Sequence, residues 1–119
     1  MLGEVGLDRA ARVPFPSLSE DSSSCPNGET SFRRELSPFT IPFAHQLAVL
    51  EAQISLAVEL CRHVSLHSVK APQPTRELLD RMSATHGARW LDISVDLHSC
   101  GLSPQVWLAI EVSSRLYRT

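Results

Sequence analysis

Three side chains in this sequence invite chemistry: Glu4 in LGEVGLD, His67 in HVSLH and His98 in VDLHSCG. Each falls in the C-terminal part of a short run that reads as a strand. In parallel α/β sheets and barrels, functional groups gather at that edge. A carboxylate with two imidazoles is a sound ligand set for a divalent metal of the zinc or manganese kind, and the carboxylate is able to bridge two ions. The intervals of 63 and 31 residues match no local metal signature, so only parallel strands would bring the three together.

Plainer readings stand beside these. His67 also reads as a hydrogen-bonded strand-end histidine, His98 as a solvent-facing residue on an amphipathic strand, and Glu4 as a surface acid. Asp8 reads either as an acid behind the ligand set or as a turn residue. Cys100 is a soft ligand or, more simply, a small buried loop residue. Lys70 and Arg76 suit phosphate or a solvated loop. His45, His63 and His86 read as structural or exposed. No nucleophile elbow, phosphate-binding glycine loop or paired-Cys zinc pattern is present. Aromatic residues make up 6% of the chain and none interleaves with basic residues, which gives no base-stacking surface.

The elements that must position these residues follow from periodicity. LGEVGL, residues 2–7, reads as a strand whose two glycines mark close backbone approach or a sharp exit. Residues 9–42 read as one long loop. Its Ser-rich middle, at about 17–31, is expected to be a disordered insertion. Phe43, Leu47, Leu50, Ile54, Ala57 and Cys61 recur at steps of three and four, which predicts a helix over 43–61 behind Pro42. HVSLH alternates and predicts a strand over 64–67. Pro72 and Pro74 open a second helix, with Leu78, Leu79 and Met82 as its stripe and Gly87 as its stop. WLDISVDLH alternates strictly and predicts a strand over 90–98. Ser103-Pro104 then reads as a cap followed by a helix start, with Val106, Trp107 and Ile110 as a fading stripe. All eight prolines are expected between elements.

Strands alternating with helices argue for an α/β fold with the three strands parallel in one sheet and helix 43–61 packed on it. The 119 residues suit one domain, and 43% hydrophobic with 20% charged residues is enough for a core. Eleven Lys and Arg against thirteen Asp and Glu leave a net charge of −2, without a global pull toward nucleic acid or anionic membrane. No segment is apolar for the roughly 20 residues a membrane span needs. Two acids in the first eight residues argue against a signal peptide. Three cysteines without metal-type spacing point to a reducing, intracellular setting, cytoplasm or nucleus.

Four segments, LGEVGLD (2–8), HQLAVLEAQISLAVEL (45–60), VSLHSVKA (64–71) and LHSCGLSP (97–104), resemble the TatD family of metal-dependent hydrolases, most closely its fungal TatD-related group. The resemblance extends over roughly residues 2–108. It implies a TIM-type (β/α) barrel with a one- or two-metal centre of zinc, magnesium or manganese type that hydrolyses phosphodiester bonds, DNA being the usual substrate class. By motif, Glu4 would be the bridging carboxylate, His67 and His98 the imidazole ligands of the second metal, and Asp8 would lie behind them.

The departures are equally specific. The family's opening H-x-H pair would precede Met1, and its late aspartate, the general base, would lie beyond Thr119. His63 stands where the family commonly has proline. A full barrel needs about eight strands and about 250 residues. The expectation is therefore a partial barrel of about three β/α units over 1–119, with a long Ser-rich loop insertion. It would hold at most one metal ion and show only weak or trace deoxyribonuclease activity. The alternative is a non-catalytic α/β interaction module that self-associates or binds a protein partner through its open sheet edges.

Overall fold

The computed structural model describes residues 1–16, 35–98 and 100–116, with the side chains of 113–116 left out. The Ser-rich segment at about 17–31 lies outside the described residues. The chain runs through β1 (Leu2–Asp8), β2 (Arg12–Pro14), β3 (Leu36–Thr40), α1 (Phe43–Glu59), β4 (Val64–Val69), α2 (Pro72–His86), a 3-10 turn (Gly87–Asp92), β5 (Val95–His98) and α3 (Pro104–Leu116).

β1, β4 and β5 form one three-stranded sheet in the order β1-β4-β5. Both pairings are parallel, with Leu7 opposite Ser68, Leu66 opposite Leu97 and His67 opposite His98. This is the expected parallel α/β arrangement. It remains an open sheet: no closed barrel forms among the described residues.

Side-chain alternation divides the sheet into two unlike faces. Leu7, Val64 and Leu66 join Leu50, Ile54 and Val58 of α1 and Leu78 and Met82 of α2 in one buried cluster. Val5, Val95 and Leu97 pack against it from the same side. The core thus lies between the sheet and its helices. The other face carries Glu4, Gly6, Ser65, His67, Asp96 and His98.

Helix α1 forms because its apolar stripe meets this core, with Pro42 standing just ahead of it. Arg9 sits over the Phe43 ring at 4.4 Å and ties the helix start to the end of β1. The helix stops at Glu59, two residues short of expectation. Cys61 adopts a left-handed conformation at φ 50. The Arg62 N–H reaches back to the Ala57 carbonyl at 2.8 Å and the Cys61 N–H to Val58 at 3.2 Å. That pair of bonds is the Schellman stop, here with cysteine where glycine is usual.

Helix α2 has its prolines at the first turn, where no helical N–H is needed. Below them lies a buried hydroxyl cluster. The Thr75 hydroxyl donates to the Ala71 carbonyl at 2.7 Å and lies 2.7 Å from Ser68 Oγ of β4. Gly87, at φ 54, ends α2 as expected.

Two expectations need correction. The alternating run 90–98 is a strand only over Val95–His98. Gly87 turns the chain straight into the 3-10 turn, which buries Trp90 and leaves Leu91 exposed. His63 then takes the Ser94 N–H on Nδ1 at 3.1 Å and sets where β5 begins. The second correction concerns residues 9–42. They contain a two-stranded antiparallel ribbon, β2 with β3, pairing Arg12 with Thr40 and Pro14 with Leu36. The Ser37 hydroxyl donates to the Val13 carbonyl within it. Pro14 and Pro38 therefore sit inside strands rather than between elements. A two-stranded ribbon is all edge, and edges are where a residue without an N–H is tolerated.

Candidate functional site

The polar face of the sheet is where the three singled-out residues meet. His67 and His98 are cross-strand neighbours on β4 and β5, with ring centroids 5.6 Å apart and planes tilted by 50°. Glu4 reaches over β4 from β1 and places Oε1 3.1 Å from His98 Nε2. The contact is close but lacks the alignment of a hydrogen bond. Ser65, the second residue of β4, bonds His98 Nδ1 through its hydroxyl at 2.9 Å. Asp96 Oδ2 stands 4.0 Å from the same nitrogen.

The fold explains this convergence. Gly3 and Gly6 let β1 lie tightly on β4: a Cβ on Gly3 would fall 2.8 Å from Ser65 Cβ, and one on Gly6 would run into the His67 main chain. The register of β1 on β4 shifts between Leu2 and Val5, so Glu4 lies at the irregularity. The pair it makes with His98 is worth little. The Glu4 side chain is 72% exposed, and exposed ion pairs contribute about 0–1 kcal/mol.

Asp8 takes part in a turn. Its Oδ1 accepts the Ala10 N–H at 2.7 Å, which closes the turn after β1. The main chain of Asp8 is held by a polar residue of α1. Gln46 of α1 accepts the Asp8 N–H on Oε1 at 2.8 Å. Its Nε2 donates to the Asp8 carbonyl at 3.0 Å and to the Ile41 carbonyl at 3.3 Å. The amide occupies the outward main-chain groups of Asp8 much as a neighbouring strand would. Beside it lies a cleft of about 330 Å³, lined by residues 4–8 of β1 with Ala11, Ile41, Gln46 and His67. Ser65 and Gln46 are the residues that spacing alone missed. Gln46 had one usable signal, its place in the first turn of a helix that packs beside β1.

The other histidines are structural or exposed, as expected. His63 holds Ser94 through both its N–H and its hydroxyl, His86 Nε2 meets Ser55 Oγ at 3.2 Å, and His45 is exposed. Cys100 is buried.

Glu4, His67 and His98 come together through a close carboxylate–imidazole contact and a ring contact. Among the described residues, no group of three or more His, Cys, Asp or Glu side chains is placed to hold a metal ion. His98 has Nδ1 on Ser65 and Nε2 facing Glu4, while the His67 ring stands beside it at a tilt. The expected metal-binding character is corrected accordingly. The face is also a poor match for DNA. Strands β1, β4 and β5 carry Glu4, Asp8 and Asp96 and not one Lys or Arg, so they repel phosphate rather than neutralise it.

Comparison with known proteins points the same way. No family model matches the chain. No solved structure matches it. The chain is similar to the Cut9-interacting protein scn1 of Schizosaccharomyces pombe (strain 972 / ATCC 24843): 41% identical over 70 residues, which cover 59% of this chain and 19% of that protein. The chain thus spans about a fifth of the length of the curated relative it matches. The expected membership of the TatD hydrolases, and with it the reading as a hydrolase and deoxyribonuclease, is overturned by these findings. The relative is named for an interaction, and no family model supports a nuclease. No helix among the described residues is long and apolar enough to cross a membrane.

Proposed function

We propose that this chain is a non-catalytic α/β interaction module that binds a protein partner. The observation that carries the reading is its similarity, 41% over 70 residues, to a protein named for interacting with Cut9. The sheet supports it. An open three-stranded parallel sheet has two outer strands, and an outer strand presents main-chain donors and acceptors to a partner. In the finer reading, the three β/α units are an arc of a TIM-type barrel layer, with helices on one side and the polar face on the other. Glu4, His67, His98 and Asp8 then serve as the acidic and aromatic surface of that face.

The test is direct binding. The purified chain is titrated with purified S. pombe Cut9 by calorimetry, with an unrelated protein of similar charge as control. Saturable binding to Cut9 alone is the expected result. Absence of binding to Cut9, or equal binding to the control, would overturn the reading.

A further inference from the structure

We infer that the partner contact is made by strand addition at the outer edge of β5, and that the occupant is an extended segment of a partner protein with basic residues at alternate positions. The inference rests on the interaction reading above and names its site. Three observations lead to it.

The first is the orientation of the β5 main chain. Val64 N donates to the Ser94 carbonyl at 2.9 Å, and Val64 lies opposite Val95. In a parallel ladder that phase turns the main-chain groups of Ser94, Asp96 and His98 toward β4 and those of Val95 and Leu97 outward. Among the described residues, no side chain or strand bonds these outward groups. Polar main-chain groups at a sheet edge are satisfied by water or by another strand.

The second is a contrast between the two edges of the same sheet. On β1 the outward groups of Asp8 are occupied by the Gln46 amide, with Ala11 and Ile41 standing alongside. An incoming strand would have to displace a side chain that already makes its hydrogen bonds. β5 has no such guard among the described residues, so the two edges are unequal and β5 is the one open to a partner.

The third is charge. A strand added beside β5 places alternate side chains on the two faces of the sheet. On the core side they meet Val95 and Leu97, which are half-buried and apolar. On the polar side they meet Asp96 and His98, with Glu4 beyond. Asp96 and Glu4 are each more than 70% exposed, and the three strands hold no Lys or Arg to compensate them. Lysine or arginine on the polar side and an aliphatic residue on the core side is the sequence that matches both faces.

The probe is a short peptide alternating lysine and valine, with a glutamate-valine counterpart as control. Residue-resolved amide exchange is measured on the whole chain. The lysine peptide is expected to slow exchange at Val95 and Leu97 by about tenfold or more, and to leave the outward amides of β1 unchanged. Asp96→Lys, an exposed change that leaves the core untouched, is expected to weaken peptide binding by about fivefold or more. Protection at β1 instead, equal binding of the glutamate peptide, or concentration-dependent protection without any peptide (a second copy of the chain on the edge) would each overturn the proposal. A chain that binds Cut9 while its Val95 and Leu97 amides stay unprotected keeps the interaction reading and sinks the edge assignment. Peptide protection at β5 in a chain that fails to bind Cut9 supports the edge and sinks the reading.

Discussion

A side chain on Gly6 would collide with the main chain of His67. Its Cβ would fall 2.6 Å from the His67 carbonyl carbon and 2.9 Å from the nitrogen, closer than real Cβ atoms approach. Gly6 and His67 are register partners in β1 and β4, so the clash is with a strand that has no freedom to move aside. Gly6→Ala is therefore expected to cost about 3 kcal/mol or more, the upper part of what overpacking costs. Thermal unfolding followed by circular dichroism checks it. A loss below about 1 kcal/mol would mean that β1 does not sit this tightly on β4. Gly87→Ala is the comparison. It meets no atom within 4 Å, so its loss comes from the backbone alone, about 1–3 kcal/mol for a Cβ held at φ 54 and ψ −126.

Gln46→Ala removes three hydrogen bonds from the end of β1 and leaves the Asp8 main chain half-buried without them. The expected loss is about 1–3 kcal/mol in urea unfolding. The same change unguards the β1 edge, so light scattering should show more self-association than in the parent chain. A variant with unchanged stability would show that water replaces the amide without cost.

Cys61→Gly should stabilise the protein. Cys61 is exposed and holds φ 50 at the end of α1, a conformation that costs a residue with a Cβ about 1 kcal/mol and costs glycine almost nothing. The expected gain is about 0.5–1 kcal/mol by chemical denaturation, after the unfolded-state entropy of glycine is offset. Destabilisation would show that the Schellman turn is not what ends the helix.

Thr75→Val keeps the shape of a buried side chain and deletes its hydroxyl. That hydroxyl bonds both the Ala71 carbonyl and Ser68. Its removal leaves Ser68 Oγ with only the longer 3.3 Å contact to Ala71, at an expected cost of about 1–2 kcal/mol. Glu4→Gln, on the exposed polar face, should cost less than about 1 kcal/mol. Equal losses at the two positions would contradict the division of the sheet into a buried and a solvated face.

Much of the architecture follows from local pattern. The apolar steps through Phe43, Leu50, Ile54 and Ala57 can only be buried as one helical stripe. The proline starts at 42, 72 and 104 and the glycine at 87 punctuate α1, α2 and α3, and strands alternating with helices require a parallel sheet. The meeting of Glu4, His67 and His98 was equally legible, because parallel strands set distant segments side by side, although Glu4 stands third of seven residues in β1 and not at its end. What their meeting does was not legible, since residue types are shared between a metal cage and a contact network, and only side-chain geometry separates the two.

The remaining features depend on contacts between distant segments. Whether residues 90–94 continue a strand was decided by the burial of Trp90 and by His63 capturing Ser94, 31 residues further along the chain. The pairing of β2 with β3 joins segments on either side of the Ser-rich stretch, and no local period announces such a ribbon. Gln46 as guardian of β1 depends on α1 packing beside that strand, so its amide finds a main chain 38 residues away. Periodicity, punctuation and element order were determined by the sequence itself, because they arise from interactions within a turn or a strand. Strand ends, edge protection and the difference between β1 and β5 were decided only by the tertiary structure, which sets the neighbours of each main-chain hydrogen bond.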